Sequence, residues 1–246
     1  MTASTGTLTV EIWRGRDDGG LQSYAVPARD NQTVLDVVTE VQRRHAPDLA
    51  YRFACRVGVC GSCAMTVNGV PRWTCRTHVS KVAGEGRLRI EPLRNMPRIK
   101  DLACDMTPFF EKWEAAGGVF EGTVTRDAPL AAVSPESPER RAADAGIECI
   151  NCGVCYAACD VVGWDEDYLG PAALNRAWTL VNDVRHRSRA ETISAATGVG
   201  GCGSCHSQGN CMRYCPVGLA PAESIAGLKR RSLRDSVLGR LLGWAS

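Results

Sequence analysis

No run of about 18 apolar residues occurs in the 246-residue chain, so no segment reads as a helix able to cross a bilayer. The N-terminus, MTASTGTLTVEIWRG, has neither the basic-then-apolar order of a secretion signal nor the Arg-rich amphipathic pattern of an organelle address. The chain is therefore expected to stay in the compartment where it is made. A net charge of +2, with no long basic run before the C-terminal tail, gives no reason to expect nucleic acid as a partner. There is no dinucleotide-binding fingerprint, and no set of arginines that reads as a substrate site.

Cysteine, by contrast, is abundant, with thirteen residues in a chain that is 44% hydrophobic and long enough for one large domain or two smaller ones. An exported disulfide scaffold is the plainest explanation of so many cysteines. The missing leader and the tight spacing argue against it: cysteines two apart suit a metal or cluster better than a disulfide.

The first hundred residues read as strands around one helix. LTVEIWR (8–14) and LQSYAVPA (21–28) form a hairpin pattern, and 33–44 places Val34, Leu35, Val37, Val38 and Val41 on one helical face. CAMTV and VPRWT flank Asn68-Gly69, a strong hairpin signal, and GRLRIEPL (86–93) supplies a closing strand. This pattern predicts a small β-grasp-like sheet. After Pro97 the chain turns helical: Thr107-Pro108 reads as an N-cap and first helical residue, and Ser137-Pro138 starts another helix. Pro171 to Arg185 carries Leu174, Ala177, Leu180, Val181 and Val184 in register, and two helices follow over 221–231 and 232–244. The expected fold class is α+β, divided as 1–104 and 105–246.

The cysteines fall into three groups. CRVGVCGSC holds Cys55, Cys60 and Cys63, with Cys75 following the hairpin, which is the plant-type spacing for a 2Fe-2S cluster. Gly58 and Gly61 allow the backbone to turn N–H groups toward sulfur. A zinc knuckle is the competing reading, although zinc sites usually pair two C-x2-C units. CINCGVCYAACD holds Cys149, Cys152, Cys155 and Cys159 in the C-x2-C-x2-C-x3-C run of two-cluster ferredoxins, in which the fourth cysteine crosses to the other cluster. By that rule Cys149, Cys152, Cys155 and the distant Cys215 hold a 4Fe-4S cluster, and Cys159 joins Cys205 and Cys211.

In CHSQGNCMRYCP, Gln208 occupies the slot of the missing fourth cysteine. A neutral amide is a poor iron ligand beside a thiolate, and a cube with one unheld corner loses that iron, so the expected centre is 3Fe-4S. Cys202 is either a replacement ligand that restores 4Fe-4S or a buried thiol acting as a small hydrophobe. Cys104, on an expected helix, reads as packing.

With these groups in place, the chain resembles the iron–sulfur subunit of succinate dehydrogenase and quinol:fumarate reductase, respiratory complex II. CRVGVCGSCAMTVNG, IKDLACDMTPFFEKW, CINCGVCYAACD, GPAAL and CHSQGNCMRYCPVGL fall in the family's order over nearly the whole length. The resemblance implies a 2Fe-2S ferredoxin domain followed by a helical bacterial-ferredoxin-like domain with 4Fe-4S and 3Fe-4S. It also implies a flavoprotein partner carrying FAD and the succinate chemistry, membrane anchor subunits, a quinone acceptor and a role in the tricarboxylic acid cycle and respiration. The place implied is peripheral, on the cytoplasmic face of the inner (plasma) membrane of a bacterium.

Trp164 and His206 match the family's quinone-proximal positions. The plainer alternatives are a core or interface aromatic for Trp164 and a hydrogen bond to the cluster for His206. Asp160 replaces the proline of many members, and VVGWDEDYLGP is more acidic and less aromatic than in ubiquinone enzymes, which leaves the quinone open. Asp160 reads either as a carboxylate for proton uptake or as a helix cap. A fumarate reductase running in reverse and a soluble multi-cluster carrier are the alternatives to a succinate:quinone oxidoreductase. The C-terminal stripe of Leu233, Val237, Leu238, Leu241 and Trp244 suits either membrane docking or packing on its own domain. Arg185, His186, Arg187 and Arg189 read as a solvated face.

Overall fold

A computed structural model of the chain describes residues 6–129 and 131–241, with side chains beyond 234 outside the description. Two compact units emerge: Met1–Pro108 with Ile150–Ala158, and Phe109–Cys149 with Cys159–Ser246. The chain is not divided by a single cut. The middle of the second cysteine run belongs to the N-terminal unit, where the Asn95 side chain donates to the Tyr156 carbonyl at 3.0 Å and Gly153 sits against Met96 and Leu93.

In the first unit β1 (Thr7–Arg14), β2 (Gly20–Pro27), β3 (Ala64–Val67), β4 (Val70–Trp73) and β5 (Arg87–Glu91) form one sheet of order β2-β1-β5-β3-β4. β1 and β5 are parallel and the other neighbours antiparallel, which is the β-grasp arrangement. Alternation along β1 turns Leu8, Val10 and Ile12 inward. Helix α1 (Val34–Arg44) lays Val34, Val37, Val38 and Val41 on that face, each full burial contributing about 1.5–3 kcal/mol. Its start is fixed by a capping box: Thr33 Oγ1 accepts from the Asp36 N–H, and Asp36 accepts in return from the Thr33 N–H. Leu35 projects differently, onto Cys63 and Cys75. Asp101 is fully buried and ties three segments, accepting from Arg14, the Gly15 N–H and the Ala50 N–H.

Cys104 lies on β7 (Ala103–Cys104), paired with β6 (Arg98–Lys100), and not on a helix. The next helix, α2 (Thr107–Ala115), starts later, where the Asp105 carboxylate accepts from the Thr107 N–H; Thr107 is thus inside the helix rather than its cap.

The second unit is helical: α3 (Pro138–Ile147), α5 (Asp160–Trp164), α6 (Pro171–Asn182), α7 (Arg189–Thr197), α8 (Asn210–Arg213) and α9 (Pro221–Leu241), with α4 (Val154–Ala157) in the first unit. Helix α6 is buried along Leu174, Ala177, Leu180 and Val181. Gly146 lets α3 approach Asn175 and Thr179, and Gly227 lets α9 lie on the Trp178 ring. Val184 falls outside α6 and is exposed, because the Asp183 carboxylate accepts from the Arg185 N–H and side chain and turns the chain.

Two further sequence readings are corrected. The segments 221–231 and 232–244 belong to one uninterrupted helix as far as Leu241, since neither proline nor a glycine stop separates them. His186 is buried rather than solvated, accepting from the Glu121 N–H at 3.1 Å and facing Thr192. Arg189, the last of that group, is the first residue of helix α7. Of the C-terminal stripe, Leu233 is exposed; the side chains of Val237, Leu238 and Leu241, and all of Trp244, lie outside the described residues. Among the described residues no helix is long and apolar enough to cross a membrane.

Candidate metal centres

Each of the thirteen cysteines is present as a thiol rather than a disulfide. Among the described residues no three ligating side chains converge closely enough for a single metal ion, as a tetrahedral zinc with Zn–S bonds of about 2.3 Å would need.

The first group is built within the N-terminal unit. Cys55, Cys60 and Cys63 sit on the loop before β3, and Cys75 follows β4, so the Asn68-Gly69 hairpin carries the fourth thiol back. Arg56, Gly58 and Gly61 have φ of 59°, 78° and 72°, and this left-handed backbone turns N–H groups toward sulfur. Cys55 Sγ accepts from the Val59 and Cys60 N–H groups, both at 3.3 Å, and Cys60 Sγ from the Cys55 N–H at 3.5 Å. Backbone donation from Val57, Val59 and Cys60 lowers the Cys55 thiol to about 6. Cys75, under Leu35 and Trp73, is pushed up to about 11, mainly by burial and then by Cys63.

Gly58 and Gly61 also permit close approach. A Cβ on Gly58 would meet Trp73 and Arg76 at 2.9 Å, and one on Gly61 would meet Cys152 Cβ at 2.7 Å. The first loop therefore lies directly on the second cysteine run. In that run Cys155 is buried on α4, which opens with Gly153 in the left-handed conformation. Cys149 and Cys215 belong to the other unit. Cys149 ends α3, donating its N–H to the Gly146 carbonyl, and Cys215 Sγ accepts from the Leu219 N–H at 3.3 Å.

The third group lies wholly within the helical unit. Cys159, at the start of α5, and Cys205 and Cys211, on one stretch leading into α8, line one concavity together with Tyr168, Gln208 and Ile225. Each sulfur meets backbone donors: Val161 and Val162 at the start of α5 for Cys159, Ser207 at 3.4 Å for Cys205, and Ala222 and Met212 for Cys211. Burial nevertheless pushes Cys211 up to about 11 and raises Cys159. Lys229 of α9 donates to the Cys205 carbonyl at 2.7 Å and fixes the loop. Three thiols met by backbone N–H donors around one concavity suit an anionic polynuclear centre.

Gln208 is part of this lining, whereas Cys202 is buried in a short 3-10 turn and is not among the lining residues. Trp164 and His206 come together edge to face, ring centroids 5.9 Å apart, with Trp164 61% exposed and so not a core aromatic. Asp160 is an exposed first-turn residue of α5. Cys104 is buried with its thiol on the Leu93 carbonyl.

Sequence reasoning missed Tyr168, Leu35 and Lys229. Tyr168 stood out only as an aromatic inside an acidic run just before the proline that opens α6; no spacing rule marks it.

Comparison with known proteins matches a 2Fe-2S iron-sulfur cluster binding domain over residues 9–111 and a 4Fe-4S dicluster domain over 146–219. The fumarate reductase iron-sulfur subunit of Haemophilus influenzae is 33% identical, covering 97% of this chain and 98% of that protein. The succinate dehydrogenase iron-sulfur subunit of Paracoccus denitrificans is 34% identical, covering 92% and 88%. Among solved structures, a chain of the Mycobacterium smegmatis Sdh1 complex in the apo form is similar with a TM-score of 0.80 at 28% identity, covering 93% of this chain and 96% of that one.

Proposed function

The chain belongs to the family of iron–sulfur subunits of succinate dehydrogenases and fumarate reductases, and from that premise we propose how its cysteines and neighbouring residues divide the task of an electron-transfer subunit. Catalysis on the dicarboxylate takes place on a flavoprotein partner, and this chain conducts the electrons. In our reading Cys55, Cys60, Cys63 and Cys75 hold 2Fe-2S; Cys149, Cys152, Cys155 and Cys215 hold 4Fe-4S; Cys159, Cys205 and Cys211 hold 3Fe-4S. When bound, these clusters supply one-electron centres between two-electron donors and acceptors.

The protein's own part is placement and electrostatics. Gly61 lets the first loop rest on Cys152, which keeps the first two centres near each other. Backbone N–H groups offset sulfur charge at the first and third groups. The observation that carries the assignment of the last centre is the lining of its concavity, with three thiols and Gln208 present and Cys202 absent. Trp164, exposed and in contact with His206, supplies an indole N–H donor for a quinone oxygen, and His206 a group able to stabilise charge there. The proposed partners are an FAD-containing flavoprotein and membrane anchor subunits, at the cytoplasmic face of the inner (plasma) membrane.

Relatives carry both succinate dehydrogenase and fumarate reductase names, so the reverse direction is the second reading. Purification of the complex tests the assignment: the chain is expected to copurify with a flavoprotein and membrane subunits, with about nine irons per chain. Comparing succinate oxidation with fumarate reduction in that preparation fixes the direction. Recovery as a monomeric carrier with its clusters intact overturns the complex.

A further inference from the structure

Tyr168 is 0% exposed, yet among the described residues its hydroxyl has no hydrogen-bond partner that meets ordinary geometry. A buried polar group is normally paired, because leaving it unpaired forfeits its hydration without return. Tyr168 lines the same concavity as Cys159, Cys205 and Cys211, and the nearby charges that act on its hydroxyl are those three thiols. Its backbone is held from three sides. Lys112 Nζ donates to the Tyr168 carbonyl at 2.9 Å, the Tyr168 N–H donates to the Asp165 carbonyl at 3.2 Å, and the Leu169 N–H donates to the Gly200 carbonyl at 2.8 Å. Gly200 permits this last approach, since any Cβ there would run into the Asp167 carbonyl. The phenol is thus buried in the wall of the concavity that the three cysteines line, with its one donor unpaired among the described residues.

We propose that Tyr168 donates its O–H to a sulfur of the centre held by Cys159, Cys205 and Cys211, and that this bond raises the centre's reduction potential. The inference rests on the assignment of that centre made above. Reduction adds one electron and makes the sulfurs more negative; a donor there stabilises the reduced form more than the oxidised one. No bond breaks and the proton remains on the phenol oxygen. Tyr168 acts through the centre and is a positioning residue.

The test is a potentiometric titration, followed by EPR, of the intact purified complex carrying either Tyr168→Phe or 3-fluorotyrosine at 168. Phe removes only the hydroxyl and should shift the reduction equilibrium of the terminal centre about tenfold toward the oxidised form, 59 mV for one electron. Fluorotyrosine, a stronger donor, should shift it the other way, and the other two centres should not move. Opposite shifts support the proposal, since a purely steric role would not reverse sign. Unchanged potentials in both variants overturn it while leaving the cluster assignment standing. If the Phe variant loses the centre, the fluorotyrosine variant decides alone. Absence of an oxidised three-iron signal in the unsubstituted complex sinks the assignment and the proposal with it.

Discussion

The first and third cysteine groups solve the same problem in opposite ways. The first is local: three thiols on one nine-residue loop and a fourth one hairpin later, with half-buried Cys55 held down to about 6 by backbone N–H groups. The third brings Cys159 to Cys205 and Cys211, which share one distant stretch of the helical unit, and there burial pushes Cys211 up to about 11 despite its donors. The loop backbone stabilises the Cys55 thiolate by itself. Buried thiols, Cys75 of the first group included, do not gain enough from their donors and depend on the positive charge of the iron they bind.

The sharpest way to break this contrast is Cys211→Ser. Losing one of only three ligands should empty the third site, taking iron from about nine to about six per chain and abolishing quinone-linked turnover, while the visible spectrum of the 2Fe-2S centre persists. Retained three-iron EPR in that variant would mean that the ligand set is wrong. Next in size is thiol reactivity after the clusters are stripped. Cys55, lowered to about 6, is mostly thiolate at pH 7 and loses reactivity only as pH falls through that value. Cys211, near 11, stays protonated until strongly alkaline pH, with about four orders of magnitude less thiolate at pH 7. Mass-spectrometric mapping of alkylation against pH checks the order of reaction.

Gly61→Ala probes the close approach of the first loop. With φ at 72° and a Cβ that would meet Cys152 at 2.7 Å, the substitution should cost about 1–3 kcal/mol. It should weaken retention of the first two centres and leave the third, which a thermal melt with iron analysis would reveal. The smallest effect belongs to Trp164→Phe, which keeps the contact with His206 and removes the indole donor. Quinone reduction should fall a few-fold, on the scale of one neutral hydrogen bond, with iron content unchanged.

The same contrast explains what could be read in the sequence. The ferredoxin sheet, the Asn68-Gly69 hairpin and the left-handed Gly58 and Gly61 follow from local patterns, and so does the start of α3 at Ser137-Pro138. Features that depend on distant segments were hidden. His186 looked like one member of a charged run, but Glu121 and Thr192 bury it. Cys104 looked helical until its pairing with Arg98 made it a strand. Whether Cys202 or Gln208 faces the third concavity depends on how a glycine-rich loop folds back on the Tyr168 segment, which no spacing rule encodes.

The central claim, that the terminal centre lacks a corner at Gln208, is tested most directly by low-temperature EPR of the oxidised, purified complex with iron counted on the same sample. A three-iron signal in the oxidised state, with about nine irons per chain, is the predicted result. About ten irons and no such signal would contradict it, and a further side chain would then have to hold the fourth iron.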